Sequence, residues 1–153
     1  MPPEARDPVL LHHPTRKSVG YFGAVRLRDG RFVYRRETER FGAKTFFDFL
    51  RQLHCASRAT PRQAVVILDN AAYHHARLHR HWREAHQERL RLEFLPPYSP
   101  ELNPIERVWK FTRRRCLHNR YFPQLDRVVD AVEAEFAGWH RGSEALRRLC
   151  AIV

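Results

Sequence analysis

The proline-rich run Pro96-Pro-Tyr-Ser-Pro-Glu-Leu-Asn103-Pro104-Ile-Glu106 constrains this chain more than any other stretch. Proline lacks a backbone donor and breaks helix interiors and central strands, so the run must be a loop between two regular elements. Its far end reads as a helix start. Asn103 suits the N-cap, Pro104 the first helical position, and Glu106 stands three residues after the cap. Beyond it Ile105, Val108, Trp109, Thr112 and Cys116 fall on one helical face, and Arg113, Arg114 and Arg115 lie on the exposed side.

Upstream, Val65-Val-Ile-Leu-Asp69-Asn70 is a short β-branched apolar run that ends on a carboxylate. It reads as a buried strand that delivers Asp69 at its C-terminal edge. Asp69 at a strand end and Glu106 in a first helical turn suit a divalent-metal site, because Mg²⁺ takes hard oxygen ligands and only one or two carboxylates from protein. Each acid also has a local reading. Glu106 can close a capping box with Asn103 or pair with Lys110 at i,i+4, and Asp69 with Asn70 can begin a turn.

The rest of the chain supplies a scaffold for these ends. Residues 1–17 read as an irregular arm with an extended piece at Val9-Leu10-Leu11. Ser18–Leu27 and Phe32–Arg36 read as strands joined by the hairpin signal Asp29-Gly30, with an irregularity at Gly23. Lys44–His54 has Phe46, Phe47, Phe49, Leu50 and Leu53 at helical spacing, and Ala76–Gln87 has high helix propensity. Leu90–Leu95 alternates like a strand. Leu125–Trp139 predicts a last helix, with Asp126, Asp130, Glu133 and Glu135 on a solvated face, and residues 141–153 follow as a tail. A hairpin followed by strand–helix–strand units predicts one α/β domain, with its core over 18–140 and a mixed sheet carrying helices on both faces. Strands 65–68 and 90–95 should run parallel, with Asp69 at the carboxyl edge where such sheets place ligands.

The charge balance names a class of partner. Among 153 residues, 28 are Lys or Arg against 17 Asp or Glu, a net charge of +11. Only Lys17, Lys44 and Lys110 are lysines. GC-rich codon usage accounts for part of the Arg bias but not for the excess of base, which points to a polyanion such as nucleic acid. No apolar run approaches 18 residues and no signal peptide is visible, so a soluble, cytoplasmic protein without a membrane partner is expected. Cys55, Cys116 and Cys150 are widely spaced and read as reduced core cysteines. His75 and His79 stand at the i,i+4 spacing of a zinc pair, but no third ligand is evident. Polar histidines on an exposed basic helix are the stronger reading. His74, five residues past Asp69, lies near the same sheet edge and could orient a water or a phosphate.

The strand-borne Asp69-Asn70-x-x-x-His74 and the loop Pro96–Glu106 together closely resemble one family. They look like the catalytic domain of the DDE transposases of bacterial insertion sequences, in the IS-six-thirty group related to eukaryotic mariner elements. The likeness spans roughly residues 12–140 and takes in His13-Pro14-Thr15-Arg16-Lys17 and Phe22-Gly23-Ala24-Val25. It implies an RNase H-like fold and DNA cutting and joining with two Mg²⁺ or Mn²⁺ ions. It also implies that Asp69 and Glu106 are the second and third acids of the triad, at close to the family's separation. Asn70, His74 and Asn103 become active-site neighbours. The net positive charge and the arginine cluster, for their part, make Lys110, Arg113, Arg114 and Arg115 the expected DNA-binding residues.

The chain departs from the pattern at its start. The family's first acid sits on a strand upstream of the hairpin. No apolar strand ending in Asp precedes it here, and Asp7 in its proline-flanked arm is a poor substitute. The family's N-terminal helix-turn-helix is also absent. The expectation is therefore an N-terminally truncated catalytic portion lacking the first central strand, marginally folded and inactive alone. An upstream-frame polypeptide would supply the strand and the helix-turn-helix; DNA ends, target DNA and a second copy are the other expected partners. Two further readings are a basic DNA-binding remnant without catalysis and an RNase H-like nuclease with another nucleic-acid substrate.

Overall fold

A computed structural model of the chain describes residues 9–12 and 18–151. Asp7 and the His13–Lys17 motif lie outside the described residues. The strands are β1 (Val9–His12), β2 (Ser18–Val25), β3 (Phe32–Glu37), β4 (Ala64–Leu68) and β5 (Leu90–Phe94). The helices are α1 (Ala43–Ser57), α2 (Arg80–His86), α3 (Pro104–Cys116), α4 (Leu125–Ala137) and α5 (Glu144–Leu149). The described residues form two compact units: residues 39–103 make one, and those from Val9 to Thr38 together with those from Pro104 onward make the other. The expected mixed sheet is present as two hydrogen-bonded sheets, antiparallel β1-β2-β3 and parallel β4-β5. Among the described residues no helix is long and apolar enough to cross a membrane.

In the unit that carries the β2–β3 hairpin, the turn is built as its sequence predicts. Gly30 adopts φ 73°, a conformation glycine reaches without strain, and the Arg26 side chain grips the Asp29 carboxylate. The expected irregularity at Gly23 does not occur. Gly23 stays in register opposite Tyr34, and a Cβ there would meet Trp109 Cη2 at 2.3 Å. Glycine is needed because the indole lies on the strand backbone. α3 begins at Pro104, and its Ile105, Val108, Trp109, Thr112 and Cys116 are buried as their spacing predicts. The Thr112 hydroxyl donates to the Val108 carbonyl at 2.8 Å, and the other four pack in one core with Tyr21, Phe32, Val132, Phe136 and Leu146. Burying each large side chain contributes about 1.5–3 kcal/mol.

Two expectations fail in this unit. The acidic face of α4 is only partly solvated. Glu133 accepts hydrogen bonds from Tyr21 Oη at 2.7 Å and Tyr34 Oη at 3.1 Å, and Arg36 Nη1 approaches it at 3.3 Å. Burial and the Glu133 carboxylate push both phenols upward. Glu135 pairs with Arg115 at 2.6 Å. Nor are the residues after 140 a plain tail. Ser143 caps α5 by accepting from the Leu146 N–H, and Leu146 and Cys150 are fully buried. Cys116 and Cys150 are free buried thiols, as expected of core cysteines, whereas Cys55 is exposed.

In the other unit, β4 and β5 pair in parallel from Ala64↔Leu90 to Leu68↔Phe94. The strand expected to be buried is not buried throughout. Leu68 is 4% exposed, but the alternate residues Val65 and Ile67 are 51% and 41% exposed. Strand periodicity puts these two side chains on one face. The helix expected over Ala76–Gln87 is also shorter. Two 3₁₀ turns, Ala72–His75 and Arg77–His79, precede α2, separated by Ala76 in an extended conformation. The turns aim His74 and His79 at Phe46 of α1, with ring centroids 4.5 and 5.4 Å away.

Candidate active site

The carboxyl end of β4 places Asp69, and the next five residues fix it. Asp69 Oδ1 accepts the Ala71 N–H at 2.9 Å, the local turn that aspartate favours. His74 Nδ1 lies 3.0 Å from the same Oδ1 and 3.0 Å from the Asp69 carbonyl oxygen. Since both are acceptors, the Nδ1–H tautomer of His74 satisfies them. The imidazole is 2% exposed, between Phe46 and Tyr73, so it cannot swing away from the aspartate. The Asp69 side chain keeps 14% exposure, and among the described residues these bonds leave Oδ2 unengaged.

Asn70 repeats the relationship one residue later. His75 Nε2 donates to Asn70 Oδ1 at 3.1 Å, and the ring stacks on Phe94 with centroids 3.9 Å apart. Asn70 Nδ2 donates to the Leu95 carbonyl, where β5 gives way to the proline loop. Asn70 therefore ties the end of β4 to the root of that loop. The loop projects Tyr98, 85% exposed and at φ 55°, a conformation that costs a bulky residue strain. It closes in a 3₁₀ turn, Pro100–Leu102, before the buried Asn103.

The histidines do not form the exposed basic helix expected of them. His79 is fully buried, with Nε2 2.7 Å from the Tyr73 carbonyl and Nδ1 accepting from Arg83 Nε at 2.9 Å. Burial lowers its pKa below the ordinary histidine value. His75 and His79 thus face different partners. Among the described residues no group of three or more His, Cys, Asp or Glu is gathered to hold a metal.

Glu106 occupies the first turn of α3, partly buried, in the other unit. Of the expected DNA-binding residues, Lys110, Arg113 and Arg114 are exposed and have no ion pair among the described residues. Arg115 is committed internally: besides Glu135, its guanidinium lies 5.3 Å from the Phe111 ring centroid. Asn70 is expected at the site from its sequence position, whereas its bond to His75 is not. The signal was the doublet Asp69-Asn70 followed five residues later by the doublet His74-His75.

Residues 1–129 match the family model described as the DDE superfamily endonuclease. The chain belongs to this family. A curated relative of this DDE endonuclease chain is the uncharacterized protein y4pE/y4sA of Sinorhizobium fredii, 44% identical over 66 residues, covering 43% of this chain and 45% of that protein. Among solved structures, a chain of the crystal structure of the Mos1 strand transfer complex superposes with TM-score 0.64 at 19% identity. It covers 93% of this chain and 41% of that one. The α/β class and RNase H-like fold are as expected from sequence. The DDE endonuclease chain spans less than half the length of either protein.

Proposed function

We propose that this chain is part of the catalytic domain of a DDE transposase that cuts and joins DNA with divalent ions, Mg²⁺ or Mn²⁺. The observation that carries the reading is the fixed carboxylate of Asp69 at the carboxyl end of a parallel strand pair. The neighbour from the Mos1 strand transfer complex supports DNA as the partner. The donor chemistry fits a hard cation, because a carboxylate with one oxygen locked by Ala71 and His74, and the other unengaged among the described residues, is pre-oriented for it. Asp69 and Glu106 are the acids proposed to hold the ions. When bound, such ions activate the attacking oxygen and neutralise charge on the leaving oxygen of an in-line displacement.

The chain's own residues then have separate tasks. His74 holds Asp69 in one rotamer, and Asn70 holds the root of the loop that leads to Glu106. Lys110, Arg113 and Arg114 attract the phosphate backbone. A bacterial, cytoplasmic setting follows from the same reading.

We further infer that another strand belongs beside β4. A parallel pair is normally covered on both faces. Here β4 pairs only with β5 among the described residues and exposes Val65 and Ile67. An apolar strand ending in Asp, supplied by an upstream polypeptide, would pair with β4 and provide the first acid. The test is nicking of labelled DNA in Mn²⁺, by this chain alone and by the chain joined to that upstream segment. The joined form should nick only with metal, and the chain alone poorly. A joined form that nicks neither duplex ends nor any other DNA in Mn²⁺ would overturn the proposal.

A further inference from the structure

The connection between α3 and α4 carries a feature that cutting chemistry does not use. Residues 107–127 contain seven Lys or Arg and one acid, Asp126. Lys110, Arg113 and Arg114 are three and four residues apart, hence neighbours on one exposed helix face. The last turn of α3 is closed tightly. The N–H groups of Leu117 and His118 both return to the Arg113 carbonyl, at 2.9 and 3.0 Å, and Asn119 turns the chain at φ 55°.

The residues on either side of Tyr121 are anchored. Arg120 donates through Nη1 to the Cys116 carbonyl at 3.3 Å, and its guanidinium lies 5.1 Å from the Phe122 ring centroid. Phe122 in turn packs against the hydrophobic core. Between them Tyr121 is 83% exposed. A large ring is thus presented to solvent by a braced loop, seven residues after Arg114 of the helix whose Lys110, Arg113 and Arg114 have no ion pair among the described residues. Single exposed aromatics are common, but this one combines a rigid mount with the charge that a phosphate backbone needs.

We propose that the α3–α4 connection is a contact surface for single-stranded or locally unpaired DNA, with Tyr121 stacking on a base and Lys110, Arg113 and Arg114 taking the phosphates. It rests on the DNA partner proposed above and specifies the form of DNA. Positively charged grooves with aromatic platforms bind single strands because every base offers a π-face, whereas paired bases in a duplex do not expose theirs.

The test is fluorescence anisotropy of labelled oligothymidylate and of a labelled duplex of equal length, with EDTA present so that metal binding plays no part. Tyr121→Ala should weaken oligothymidylate binding about tenfold, as loss of one stacked base does. Tyr121→Phe, which keeps the ring, should bind like the unaltered chain, and duplex binding should change little in either variant. Unaltered oligothymidylate binding by Tyr121→Ala overturns the proposal. So does an equal loss in Tyr121→Phe, or an equal loss on duplex. Failure of the metal site would leave all these EDTA measurements untouched, so the two readings fall separately.

Discussion

His74 Nδ1 sits 3.0 Å from both the backbone oxygen and the Oδ1 of Asp69, with the imidazole buried against Phe46. One N–H thus fixes the backbone and side chain of the same acid. His74→Ala should weaken Mn²⁺ binding about tenfold and lower stability by about 2 kcal/mol, from the cavity and the unpaired acceptors. His74→Asn puts an amide N–H near the Nδ1 position and should recover much of the metal affinity. His74→Gln, whose amide reaches further, should not. Calorimetry on the three variants checks this; equal affinity in Asn and Gln forms would show that Nδ1 has no such role.

Gly23 and Trp109 make a second testable contact. An alanine Cβ at position 23 would lie 2.3 Å from Trp109 Cη2 and 2.9 Å from Phe32 Cζ. Overpacking of this kind costs about 1–3 kcal/mol. Gly23→Ala should therefore lower stability to urea by about 2 kcal/mol, and by much less when Trp109 is already Phe. The same cost in both backgrounds would mean that the indole is not the obstacle.

Stability should fall as the solution is acidified from neutrality. Burial depresses the pKa values of His54, His75 and His79, with neighbouring His and Arg charges adding to it. Each group takes up a proton more readily when unfolded, so its contribution is complete above about pH 6.5 and is lost as pH drops toward the folded value. The carboxylates of Asp29 and Glu144, held at about 2 by Arg26 and Arg147, act only at lower pH. A melting temperature that declines between about pH 7 and 5, less steeply in His79→Gln, is expected. A melting temperature that rises over that range would contradict the assignment.

DNA affinity should fall at least ~100-fold between about 50 and 200 mM salt, since several phosphate contacts release counterions. Replacing Arg113 and Arg114 together by Ala should reduce the salt slope by roughly one or two units. Arg115→Ala should leave the slope alone and cost stability instead, because its partner is Glu135. Titrations at several salt concentrations separate the three arginines.

Local signals carried much of the fold. Asp29-Gly30 marked its hairpin, Asn103-Pro104 marked the start of α3, and the apolar spacing of α3 predicted its buried face. What escaped depends on partners distant in the chain. The spacing of His74 and His79 shows nothing of burial, because the rings that cover them come from α1. Glu133 looked solvated because its hydroxyl partners lie on β2 and β3, about a hundred residues earlier. Val65 and Ile67 belong to an apolar run that reads as buried, yet burial depends on what packs over the strand. Asp69 was legible as a strand-end acid; its bond to His74 required knowing that the chain turns twice in five residues.

Asp69 and Glu106 are each proposed as ligands of divalent ions. Isothermal calorimetry of Mn²⁺ binding to the unaltered chain, Asp69→Asn and Glu106→Gln tests this most directly, with a melting curve for each to establish folding. The unaltered chain should bind Mn²⁺, and each variant should bind about tenfold or more weakly, since each loses a charged oxygen ligand. Mn²⁺ binding that is unchanged in both folded variants would contradict the proposal.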